Sequence, residues 1–106
     1  MNFSAEVIQQ VWEKARVMAE RDADEWRHDQ CGAWIKRDAY QYKHSDYGWR
    51  ICAVGPSDSG ALENLRPFHH QNDFNVASGK PRCHVSADRT GLQPNASVDH
   101  PQNKLM

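Results

Sequence analysis

The chain has 106 residues, of which 39% are hydrophobic and 25% charged, and its formal net charge is −1. This balance suits one small domain with a modest core, and it argues against both a disordered chain and a strongly basic one, although a local basic patch needs no net excess. No apolar run reaches membrane-span length and no basic-then-apolar leader opens the sequence, so the expectation is a cytoplasmic protein without a membrane partner.

Residues 4 to about 27 are predicted as a helix. Ser4 is a candidate N-cap, and Glu6 puts negative charge in the first turn. Val7, Ile8, Val11, Trp12, Ala15, Met18 and Ala19 recur at three-and-four spacing, which makes one apolar stripe. The charge-dense run Arg21 to Glu25 could interrupt the helix before Trp26.

Between Cys31 and Cys52 the texture changes. Ala33-Trp34-Ile35 reads as a short strand, His44-Ser45-Asp46 as a turn, and Tyr47 to Val54 as a second strand rich in aromatic and β-branched residues. The two are expected to pair as a hairpin with a moderately long connection. Gly55 to Gly60 is a loop by composition. A second helix is predicted from about Phe68 to Ala77, ended by Gly79 and Pro81, with Arg82 to Ala87 adding a short edge strand. From Asp88 onward the chain is polar and is expected to carry little fixed structure. The division is therefore a domain at 1–87 and a flexible tail at 88–106.

Cys31, Cys52 and Cys83 are odd in number and widely spaced. They read as reduced thiols packed as small hydrophobes rather than as a disulfide framework. His28-x-x-Cys31 has ligand-pair spacing, and with His69 and Cys83 it could form a Cys/His zinc site. A tidy second pair is missing, so packing and solvated roles are the plainer reading and no cofactor is expected. Interleaved aromatics and bases, with Lys36, Arg37, Lys43 and Arg50 among Trp34, Tyr40, Tyr42, Tyr47 and Trp49, could stack on and neutralise nucleic acid. The same alternation in a hairpin would put one set in the core and the other in water.

The fragments Asp29 to Ile35, Ser45 to Ile51, Pro56, Gly60 and Asn64-Leu65-Arg66-Pro67, in that order, resemble the bacterial HNH endonuclease family over roughly residues 7–87. The resemblance implies an α+β, ββα-metal arrangement: an N-terminal helix packed on a small antiparallel hairpin followed by a helix. In that family an Asp-His pair on the second strand supplies a metal ligand and the general base, because phosphodiester attack needs a deprotonated nucleophile and a cation on the developing charge. Here Cys52 and Ala53 stand at those two positions. A thiol is a poor ligand for Mg²⁺, and alanine can neither bind a metal nor take a proton. Asn64 matches the orienting Asn, Asp73 falls where a helix Asn is usual, Arg50 replaces a Glu, and Ser78 replaces a basic residue.

What the resemblance implies is a catalytically inactive HNH-like domain that binds DNA or RNA or else a protein partner; the bases expected to touch nucleic acid are Lys36, Arg37, Lys43, Arg50 and Arg66. The alternative is an active metal-dependent endonuclease, using a divalent cation, whose base has moved to His69 or His70.

Overall fold

The computed structural model describes residues 3–19, 21–55, 62–88 and 101–106. It begins where the sequence places a helix: the Ser4 side chain accepts from the Val7 amide at 3.2 Å and caps α1, Ala5–Trp12. Val11 and Trp12 are its buried residues. The helix was expected to run to about residue 27, yet it stops after two turns. The cause lies in the returning chain. The Arg27 guanidinium donates to the carbonyls of Glu13 at 3.0 Å, Ala15 at 3.3 Å and Ala23 at 2.8 Å. It also lies 5.7 Å from the centre of the Trp12 ring. Carbonyls near the helix end thus find donors from another element, and the chain leaves the helix there.

Beyond α1 come β1 (Arg16–Val17), β2 (Trp26–His28) and β3 (Trp34–Lys36), an antiparallel sheet in that order. Asp22 organises the charged run before β2, its carbonyl accepting from the amides of Glu25 and Trp26. The β2–β3 turn is closed by Asp29 and by Gly32, whose φ is +83°. Next come β4 (Trp49–Ala53) and β5 (Leu65–His69), paired antiparallel from Trp49↔His69 to Ala53↔Leu65. Then follow β6 (Asp73–Asn75) with β7 (Lys80–Arg82), and β8 (Val85–Ala87) with β9 (Asn103–Leu105).

Both expected strands exist, but they do not pair with each other. β3 takes β2 as its partner and β4 takes β5. The expected second helix is absent: its residues form the end of β5, a turn and β6. Pro67 sits inside β5 opposite Ile51, a position tolerable because a strand of a two-stranded ladder has one edge outside the pairing. Gly79 and Pro81, expected to end that helix, lie instead in the β6–β7 turn and in β7; the Gly79 amide, at φ +70°, donates to the Asn75 carbonyl at 2.9 Å.

The described residues therefore form small antiparallel sheets and one short α-helix. This overturns the ββα-metal expectation of a helix, a hairpin and a second helix. The far end of the polar tail contributes β9, whereas the rest of the tail at 89–100, and the loop expected at Gly55 to Gly60 apart from Gly55, lie outside the described residues. No helix among the described residues is long and apolar enough to cross a membrane.

The core forms where α1 meets β3, β4 and β5: Val11, Trp12, Ala15, Ile35, Trp49 and Leu65 are buried together. Trp12 and Trp49 ring centres lie 5.3 Å apart, and Tyr40 adds a third ring 4.9 Å from Trp49. The indole N–H groups of Trp12 and Trp49 both find a carbonyl, Trp12 on Ala23 and Trp49 on Arg37. A disulfide joins Cys31 to Cys83, with Cα atoms 5.5 Å apart, and fastens the β2–β3 turn to the start of β8. This corrects the expectation of three reduced thiols. An odd count leaves one cysteine over, Cys52, but does not forbid one pair.

Candidate nucleic-acid interface

The segment from Gln41 to Gly48 wraps over the edge of β4 and builds one wall of an open cleft. Its turns are tight: the Ser45 amide donates to the Tyr42 carbonyl, and the Gly48 amide to the Ser45 carbonyl. Gly48 is needed for this approach, because a Cβ there would lie 1.9 Å from the Tyr42 carbonyl oxygen and 3.2 Å from the His70 ring. Gln41 has φ +64°, and its amide donates to the Trp49 carbonyl at 2.7 Å.

The cleft encloses about 610 Å³ and is lined by Gln41, Lys43, Trp49, Arg50 and His70. Its described wall contains no carboxylate. Arg50 is held in place by a 2.9 Å hydrogen bond to the Asn72 carbonyl, and the His70 amide donates to the Gly48 carbonyl at 2.9 Å. Tyr42, 63% exposed, and His44 line an adjoining hollow with Gln41, Lys43 and Ser45. The His70 pKa is pushed below its ordinary value, chiefly by burial and further by Arg50 and His44, against the raising influence of the Ser45 carbonyl and Asp46.

His69 is a different kind of histidine. It is 1% exposed and stacked on His70 at 4.5 Å. Its Nε2 lies 2.8 Å from the Asp46 carbonyl and its Nδ1 accepts from the Gln71 amide at 3.1 Å. Both ring nitrogens are occupied when Nε2 carries the proton. Burial pushes its pKa down.

Of the basic residues expected to touch nucleic acid, Lys43 and Arg50 converge on the cleft. Lys36 instead pairs with Glu25 at 3.6 Å and lies over the Trp26 ring, and Arg37 donates to the Gln9 side chain at 2.9 Å. Arg66 folds back on the carbonyls of Glu63 and Leu65 and borders a separate, smaller cleft with Lys14 and Arg16.

The residues expected around a degenerate nuclease site are partly neighbours. Cys52 and Ala53 lie on β4 opposite Arg66 and Leu65. Burial, first of all, raises the Cys52 thiol pKa. Asn64 remains beside the end of β4: its carbonyl accepts from the Val54 amide at 2.7 Å, and a Cβ on Gly55 would lie 2.6 Å from its Cγ. Asp73 lies on β6, which packs against β4, but its carboxylate is held by two 2.8 Å bonds from Arg82. Ser78 is exposed in the β6–β7 turn, its amide bound to the Asn75 side chain.

The zinc candidates do not assemble. Cys31 and Cys83 are bonded to each other, His28 packs edge-on against Trp34 at 4.2 Å, and His69 is engaged with Asp46 and Gln71. Among the described residues no group of three His, Cys, Asp or Glu side chains is placed to hold a metal ion.

Three polar residues with structural weight were not singled out from the sequence. Asp29 and Asn72 are buried, and Asn103 anchors β9 to Trp34. Asp29 three residues before Gly32 carries a local turn signature that could have marked it. Asn72 and Asn103 act only at long range and carry no such mark. No protein-family model, curated protein or solved structure matches this chain.

Proposed function

We propose that this chain is a non-catalytic module that binds nucleic acid through its phosphate backbone in the Lys43–Arg50–His70 cleft. The observation that carries this reading is the convergence of those three side chains on one open cleft whose described wall has no carboxylate. Lysine and arginine neutralise phosphates and arginine can bind them bidentately. Exposed Tyr42 at the rim offers a ring face on which an unpaired base can stack. The residue-level resemblance to HNH nucleases is a further reason to test nucleic acid before other polyanions.

The non-catalytic half of the reading rests on side-chain chemistry. Cys52 and Ala53 offer no hard metal ligand and no base. His69 has neither ring nitrogen free to act as a relocated base. Asp73 is committed to Arg82.

A mobility-shift titration at two salt concentrations, run beside a plasmid-nicking assay with Mg²⁺, Mn²⁺ and Ni²⁺, tests both halves. Two permanent cations in the cleft imply a log–log salt slope of about −1.4 for a single strand, from about −0.7 per phosphate neutralised. Binding should weaken in Lys43→Glu and Arg50→Glu, and no divalent ion should support nicking. Salt-insensitive or absent binding rejects the nucleic-acid reading and favours a protein partner. Metal-dependent nicking lost in His70→Ala would restore the active nuclease.

A further inference from the structure

We infer that a ligand phosphate enters the cleft together with a proton taken up from solvent by His70, so that acid strengthens binding at this site. The inference rests on the cleft being the binding site, as proposed above, and it adds the regulation of that site.

The geometry sets up the coupling. His70 stands at the end of β5, where its ring meets Gly48, and it shares the cleft with Lys43 and Arg50. Each group facing it has a sign. Arg50 from β4 and His44 from the wrapping segment disfavour a charged ring, as does partial burial, and neighbouring His69 stacks on it. Asp46 and the Ser45 carbonyl favour the charged ring. Lys43 lines the same cleft and adds positive charge. Burial, the largest influence, together with Arg50 and His44 outweighs Asp46 and the Ser45 carbonyl and favours the neutral ring.

An arriving phosphate reverses that balance. Its negative charge offsets Arg50 and Lys43 and favours the imidazolium directly. By linkage, whatever raises the His70 pKa on binding must tighten binding as pH falls through the window between the free and bound values. A rise of about one unit corresponds to about tenfold in affinity. The charged ring also counts as a third neutralising cation, so the salt slope should steepen from about −1.4 to about −2.1.

The test uses a short oligothymidylate, whose bases do not change charge across the window, titrated by fluorescence anisotropy from about pH 8 to about pH 5.5. Circular dichroism at each pH confirms that the chain stays folded. The expected result is binding about tenfold tighter at the acid end with the steeper salt slope, and calorimetry in two buffers of different ionisation enthalpy should show proton uptake on binding. His70→Gln should abolish the increase, and His44→Gln should retain it. Binding that is salt-dependent but indifferent to pH overturns proton uptake and leaves the nucleic-acid reading standing. An increase that survives in His70→Gln overturns the assignment to that ring. Absence of binding at every pH overturns both.

Discussion

The carboxylate of Asp29 and the carboxamide of Asn72 meet at 3.0 Å in the interior, 43 residues apart in sequence. Asp29 is 2% exposed and Asn72 fully buried. One Asp29 oxygen accepts from the amides of Cys31 and Ala33, and the other from the His69 amide and the Asn72 side chain. Asn72 in turn accepts from the amides of His84 and Val85 and donates to the Val85 carbonyl. The pair thus ties the β2–β3 turn to the end of β5 and the start of β8.

Removing Asp29 would leave buried donors without an acceptor. Asp29→Ala is expected to lower stability by about 3–4 kcal/mol, against about 1 kcal/mol for an ordinary hydrogen bond. Urea unfolding measures it. A loss under about 1 kcal/mol would mean that the four hydrogen bonds are not made together.

Protonation of His69 should destabilise the fold. Burial holds its folded pKa below the ordinary value, so the neutral ring is favoured in the native state and the unfolded chain binds more protons. Its contribution is complete above about pH 6.5 and is lost as pH falls through that value toward the folded pKa. His70, shifted the same way, adds to the loss. The urea midpoint should therefore fall between about pH 7 and about pH 5.5, above the range where carboxylates titrate, and His69→Gln should flatten that fall.

The Cys31–Cys83 bridge closes a long loop, its ends 52 residues apart. Restricting the unfolded chain over that separation is worth about 4 kcal/mol in the chain-entropy model. A reductant, or the Cys31→Ser/Cys83→Ser double variant, should lower the melting temperature accordingly. Before reduction, alkylation of the denatured chain should label one thiol, Cys52; in the native chain that thiol should react slowly, since burial raises its pKa.

Asn103 stands in for a neighbouring strand. Its side chain accepts from the Trp34 amide at 2.7 Å and donates to the Trp34 carbonyl at 2.9 Å and the Asp46 carbonyl at 2.8 Å. Asn103→Ala should cost about 2 kcal/mol and should speed hydrogen exchange at the Trp34 amide more than at residues of β4. Equal acceleration throughout would show that β9 does not act locally.

Gly48 should not tolerate a side chain. The 1.9 Å approach of a Cβ to the Tyr42 carbonyl forces the wrapping segment away from β4. Gly48→Ala is expected to destabilise by about 1–3 kcal/mol and to weaken oligonucleotide binding beyond what its stability loss explains. Full affinity in this variant would place the ligand elsewhere.

Local signals were legible in the residues themselves. The Ser4 cap, the apolar stripe through Trp12 and the extended runs at Trp34 and Trp49 all depend on near neighbours. The α1 boundary was not legible, because it is set by Arg27 reaching back across the chain. The second helix failed for a similar reason: Leu65 to His69 has β4 to pair with, and Asn72 is held by Asp29 and by the β8 backbone. Lys43 and Arg50 were legible as bases among aromatics; that they, and not Lys36 or Arg37, share a cleft with His70 depends on which strand pairs with which.

The sequence by itself determined the Ser4 cap, the apolar stripe of the first turns and the extended runs at Trp34 and Trp49, since these are properties of single residues and short spacings. Tertiary structure decided strand partners, the Cys31–Cys83 pairing and the company kept by His69 and His70. Those depend on side chains meeting across tens of residues, as Asp29 meets the His69 amide and the Asn72 side chain.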